Sequence, residues 1–150
     1  MNRALLRKLI ALPRSEWVDL LAAQAALLRT QLLVWTRPRG QLLVPSVGSA
    51  PAETGDREVA PAVRRLALAV ERAAEHGLFR PACLVQAIAL QRLIRSRGFA
   101  GSSVRVGVRW RNGQFLAHAW VDYRGTALAD RAWHVSSFAE LARLEVTEPS

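Results

Sequence analysis

The sequence has one cysteine, one methionine and one tyrosine among 150 residues, and Lys8 is its sole lysine. A single cysteine excludes an internal disulfide framework and fits a reducing, cytoplasmic setting. Cys83 stands apart from His76, His118 and His134 without metal-ligand spacing, so neither a metal nor a cofactor is expected. Acidic residues are scarce: 12 Asp+Glu against 21 Lys+Arg leave a net charge of +9. The arginines are spread along the chain, with no basic arm and no aromatics interleaved in a basic patch, so the reading is a solvated Arg-rich surface with no nucleic-acid partner. Uninterrupted apolar runs are missing as well. Residues 17–35 are rich in Leu and Ala, but Asp19, Gln24, Arg29 and Gln31 interrupt them, against a membrane span. Met1 to Leu12 lack the long apolar core and small-residue cleavage site of a signal peptide. Peripheral membrane contact through residues 1–35 stays compatible with this pattern.

What is present is a chain that folds. At 51% hydrophobic it can bury a real core, and its length fits one domain with a helical extension. Trp17, Leu20, Leu21, Leu27, Leu28 and Leu32 recur near helical spacing, with Pro13 as a break and Ser15 as N-cap. Gln41 to Val44 read as a short strand, and the Pro/Gly/Ser/Ala stretch 45–59 as a loop or linker. Pro61 opens a helix whose face is Val63, Leu66, Ala67, Val70 and Ala74, and Gly77 stops it. The next helix runs from Pro81 to Arg97 and is apolar nearly all round in its first half, which predicts burial on most sides. The period then changes to two: Val104, Val106, Val108 and Trp110 alternate with polar positions, Asn112-Gly113 turns the chain, and a return strand follows. Thr126 to Asp130 form a third strand, and Ser137-Phe138-Ala139-Glu140 match a capping box opening a C-terminal helix. The architecture is α+β, with a helical extension at 1–44, a linker at 45–59 and a catalytic domain at 60–150.

The candidate chemistry begins at Cys83, in the first turn of a helix. There the positive end of the dipole and free backbone N–H groups favour thiolate and can serve an oxyanion. A two-residue Asn112-Gly113 turn pairs Gly107 with His118, so the residue facing the imidazole has no side chain and leaves room for another element. The acid depends on the second turn. A three-residue loop Tyr123-Arg124-Gly125 pairs Asp122 with Thr126, sets Trp120 against Leu128 and puts Asp130 opposite His118. A two-residue loop would point Asp130 away. The three-residue form is preferred, with Asp122 as the alternative acid. Cys83, His118 and Asp130 then make a nucleophile, a base and an orienting acid. Trp120 shares the His118 face and could shield the His–Asp bond. Gln86, one turn after Cys83, is a candidate oxyanion or substrate-lining donor.

These residues carry a resemblance. The run from Pro81-Ala-Cys-Leu-Val-Gln to Gly98, then Val106-Gly-Val108, then Ala117-His-Ala-Trp-Val-Asp122, is similar to the lasso-peptide leader peptidases. The likeness covers about residues 58–142. It implies a transglutaminase-like, papain-like cysteine protease core, with a Cys-bearing helix packed on a small antiparallel sheet. It also implies a Cys83-His118-Asp130 triad that cuts a ribosomal precursor between leader and core. The partners it implies are the precursor peptide, a separate leader-recognition protein and an ATP-dependent lasso cyclase. The competing readings are another transglutaminase-like acyl transferase or amidase, and a non-catalytic basic scaffold or nucleic-acid-binding protein.

Overall fold

The computed structural model describes residues 13–38, 43–45 and 59–146. In chain order the elements are helix α1 (Arg14–Thr36), strand β1 (Leu43–Pro45), helices α2 (Pro61–His76) and α3 (Cys83–Ser96), and strands β2 (Ser102–Arg111), β3 (Gln114–Tyr123) and β4 (Thr126–Leu128). A short helix α4 (Ala132–Val135) and strand β5 (Ala139–Val146) follow. The strands form one five-stranded antiparallel sheet in the order β1-β5-β2-β3-β4.

The all-round apolarity of α3 has its explanation in this arrangement. Helices α1 and α2 cover α3, and the sheet meets it through β3, β2 and β5. Ile88, Leu90 and Ile94 are fully buried together with Val63 and Val70 of α2, Leu27 of α1, and Val104 and Val121 of the sheet. Gln91 lies among them with 0% exposure. Its amide N–H donates to the Ser102 carbonyl at 2.9 Å, and its oxygen accepts from the Val146 N–H at 3.1 Å. A buried polar side chain is tolerated when both ends are matched in this way, and here it ties α3 to the start of β2 and the end of β5.

Helix α1 belongs to the same core. Ala23 and Leu27 are buried, and the carboxylate of buried Asp19 pairs with Arg65 of α2 at 3.5 Å and with Arg97, just after α3, at 3.2 Å. Its outer side leaves Val18, Leu21, Leu28, Leu32 and Trp35 exposed. The helix is long and apolar enough to cross a membrane by length and composition, yet Asp19, Ala23, Leu27 and Thr30 are buried against the body. Helix α1, from the expected extension 1–44, thus packs on α2 and α3 of the expected catalytic part 60–150, and β1 pairs with β5. Residues 46–58 of the expected linker lie outside the described residues, as do Gln41 and Leu42 of the expected short strand.

Four local expectations need correction. Pro13, not Ser15, holds the N-cap position of α1, and Ser15 is inside the helix. The second turn is the two-residue one: Arg124 (φ 52°) and Gly125 (φ 91°) both take positive φ, and Tyr123 pairs with Thr126. Trp120 is therefore not opposite Leu128, which pairs with Val121. The capping-box sequence opens no helix, because β5 begins at Ala139 and satisfies the free edge of β2. Ser137 donates its hydroxyl to the His134 carbonyl at 2.6 Å instead, and Glu140 pairs with Arg105.

Replacing Gln91 by Met keeps the volume but removes the side-chain partner of the half-buried Ser102 carbonyl and of the buried Val146 N–H. Urea unfolding is expected to show a loss of about 2–4 kcal/mol.

Candidate active site

Cys83 is the first residue of α3, preceded by Ala82 at the cap. It is half-buried, and the first-turn N–H groups of the helix have no intrahelical carbonyl to bond. The thiol pKa is lowered, first by the His118 side chain. Burial opposes this, and the backbone N–H groups of Ala119 and Leu84 add to the lowering. His118 responds in the opposite sense: Cys83 raises it, burial lowers it, and Asp130 raises it further. Both shifts favour thiolate beside imidazolium.

The imidazole is held from the sheet. His118 pairs with Gly107 as the hairpin register requires, and Asn112 (φ 51°) and Gly113 (φ 75°) form the turn. The space above Gly107 is filled. A Cβ there would meet Phe138 Cβ and Trp120 Cη2 at 2.9 Å each. Those two side chains flank the ring, Trp120 stacked at 6.1 Å between centroids and Phe138 tilted at 5.3 Å. Gly107 also sits where the β2–β5 register shifts, so it serves both a bulge and a close approach.

Asp130 reaches His118 by a route that strand pairing did not foresee. Continued past Leu128, the observed ladder would set Asp130 against Ala119, facing away. The ladder stops at Leu128, and Ala129 takes φ 55°, a left-handed conformation uncommon outside Gly, Asn and Asp. That single residue swings the carboxylate to within 2.5 Å of His118 Nε2. With Nε2 given to the acid, Nδ1 is the nitrogen left for the thiol. Burial pushes the Asp130 pKa up, but hydrogen bonds from His118, His134 and the Arg131 backbone outweigh it, and the net shift is downward. Asp122, the alternative acid, is engaged elsewhere: it pairs with Arg105 at 3.3 Å and accepts from the Gly125 N–H at 3.2 Å.

Cys83, Gln86, His118, Trp120 and Asp130 line one small cavity. Gln86 donates its amide N–H to the Pro81 carbonyl at 2.9 Å, which holds the loop before Cys83. A groove of roughly 570 Å³ adjoins this cavity at Asp130, with Arg64, Leu68 and Glu71 on one side and Trp133 and His134 on the other.

His134 was not singled out from the sequence, and it proves to be part of the cluster. Its Nδ1 lies 3.0 Å from Asp130 Oδ1, and its ring meets that of His118 edge-on at 5.0 Å. Its position four residues after Asp130 was the available signal. His118, Asp130 and His134 offer ligand atoms within 4.8 Å of one another, a set that could hold a metal ion. Hydrogen bonding to the shared carboxylate accounts for the same arrangement.

Comparison with known proteins bears on the whole of this site. A family model described as the transglutaminase-like superfamily matches residues 26–143, from within α1 to within β5. No curated protein and no solved structure matches the chain.

Because Cys83 is the sole cysteine, alkylation by iodoacetamide reads this thiol alone. His118→Ala removes the largest influence lowering its pKa and leaves burial opposed only by backbone N–H groups. The alkylation rate at pH 7 should fall about tenfold or more, and its rise with pH should move towards the alkaline side. Gly107→Val should displace Trp120 or Phe138 and cost about 1–3 kcal/mol in thermal or urea unfolding.

Proposed function

The chain belongs to the transglutaminase-like superfamily, which includes cysteine proteases and acyl transferases, and on that footing we propose that it is a cysteine peptidase. Its substrate is a ribosomally made lasso-peptide precursor, cut between leader and core. The observation that carries the peptidase reading is the convergence of Cys83, His118 and Asp130 on one cavity that opens beside a peptide-sized groove. The likeness of the Cys83 helix and the Ala117-His-Ala-Trp-Val strand to the leader peptidases supports the choice of substrate.

The chemistry follows from the geometry. Cys83 Sγ attacks the scissile carbonyl carbon as thiolate. The carbonyl electron pair moves to oxygen, where unbonded first-turn N–H groups of α3 can hold it. As the C–N bond breaks, the His118 imidazolium gives its proton to the leaving amine, and a thioester remains. Neutral His118 then takes a proton from water, the hydroxyl adds to the thioester, and the acid product leaves with the thiolate restored. Asp130 holds the imidazole tautomer and stabilises imidazolium without itself taking the proton. Resolution of the same thioester by an amine would make the enzyme an acyl transferase.

The proposed setting is the cytoplasm, beside a separate leader-recognition protein that delivers the precursor. An ATP-dependent cyclase follows, taking up the freed core amine.

Incubation of the precursor with the enzyme and recognition protein should yield one cut at the leader–core junction by mass spectrometry. Cys83→Ala and His118→Ala should abolish it, and Asp130→Asn should lower kcat about 10²–10⁴-fold. An amine adduct in place of the acid would select acyl transfer. No turnover of the precursor by folded protein with its partner present would sink the peptidase reading.

The pH profile of kcat/KM should be bell-shaped. The acid limb follows the lowered Cys83 pKa, since protonated thiol is a poor nucleophile. The alkaline limb follows the raised His118 pKa, since the leaving amine needs imidazolium. The two limbs are properties of the coupled pair.

A further inference from the structure

We propose that His134 is a positioning residue for the reaction, donating a hydrogen bond that locks the Asp130 carboxylate in the rotamer needed by His118. The inference rests on the reading of Cys83, His118 and Asp130 as one catalytic unit, and it extends that unit by a residue which acts only through the acid.

The geometry is a carboxylate shared by two imidazoles. Asp130 Oδ2 faces His118 Nε2 and Asp130 Oδ1 faces His134 Nδ1, while the Arg131 backbone N–H also donates to Oδ1 at 2.7 Å. Each oxygen therefore has an imidazole N–H, and rotation of the carboxylate would break both bonds at once. Such a lock is needed here. Asp130 follows Ala129 at φ 55° and lies beyond the end of β4, so no strand ladder restrains it. It also borders the roughly 570 Å³ groove, where water can compete for its oxygens.

His134 is itself braced. It sits in α4, its ring packs edge-on to Phe138 at 5.3 Å and to Trp133 at 5.7 Å, and the Arg109 guanidinium lies over the Phe138 ring, 4.4 Å from its centroid. The Ser137 hydroxyl donates to the His134 carbonyl, and Arg109 donates to the same Ser137 oxygen at 2.7 Å. The titratable and charged groups around the carboxylate are His118 from β3, Cys83 from α3, His134 from α4, Arg131, and Arg64 and Glu71 of α2 across the groove. His134 makes the only imidazole bond to Asp130 Oδ1 among the described residues.

The role separates from mere packing by two substitutions. His134→Phe keeps a ring against Phe138 and removes the donor. His134→Asn discards the ring but places an amide N–H where Nδ1 stood. The readout is the second-order rate of Cys83 alkylation between pH 5 and 9 on the full-length protein, with near-ultraviolet circular dichroism to verify folding. His134→Phe should lower the rate at pH 6–7 about five- to tenfold and shift its rise towards alkaline pH. His134→Asn should stay within about twofold of wild type. In an Asp130→Ala background, His134→Phe should change nothing further, the mark of action through the acid. The proposal is overturned if His134→Phe matches wild type, if His134→Asn is as slow as His134→Phe, or if the effect persists without Asp130. His134→Leu replaces the Phe variant should that one misfold. Alkylation needs no peptide, so failure to cleave a precursor leaves this result standing and bears on the substrate reading alone.

Discussion

The burial of α3 is the constraint from which the rest of the structure follows. The helix has α1 and α2 on one side and the sheet on the other, and Ile88, Leu90 and Ile94 have almost no surface left. Each such side chain is worth about 1.5–3 kcal/mol when taken from water. Rotating or sliding the helix would expose several of them and break both bonds of Gln91. Within α3, Cys83 and Gln86 line the cavity with Ala87 and Leu90 behind them, so a packing requirement spread over the helix becomes a positional requirement on one sulfur atom. Helix α1 contributes to this from the opposite side, through Ala23, Leu27 and the Asp19 ion pairs.

The imidazole opposite that sulfur is constrained by a different kind of packing. Gly107 removes a side chain from the central strand, and Trp120 and Phe138 occupy the space. Flat apolar groups then border the His118 ring, and its two nitrogens are directed towards the thiol and the acid. Apolar walls also reduce competition from water, which strengthens the electrostatic coupling among the three groups. Cys83 and His118 shift each other in opposite directions, and Asp130 is held ionised by the donors around it.

The groove beside the site shares its floor with this machinery. Asp130 and His134 line it together with exposed Trp133 and Leu68, so a bound chain would lie against the acid's flank. The short helix α4 thus supplies both a wall of the groove and a contact to the carboxylate. The packing of α2, which carries Arg64, Leu68 and Glu71, sets the distance across it.

What the sequence determined by itself was whatever depends on near neighbours. Helical periodicity placed α2 and α3, with Cys83 in a first turn, and Asn112-Gly113 set the hairpin register that puts Gly107 against His118. Both signals are local, a repeat of apolar residues or a turn whose φ values only certain residues accept. The expected meeting of Asp130 with His118 occurs, but not through the expected register. The second turn has two residues, not three, and the carboxylate arrives through a left-handed Ala129. Nothing in an alanine announces positive φ; the surrounding packing imposes it. The same holds for β5, where Ser137 to Glu140 carry the local code of a helix start. The unsatisfied edge of β2, distant in sequence, outweighed that code. His134 went unnoticed because a histidine four residues from an aspartate acquires meaning only once the chain turns both towards one cavity. Tertiary structure decided these points because unpaired backbone groups and unfilled space are satisfied by residues far along the chain, and those contacts leave no periodicity to read.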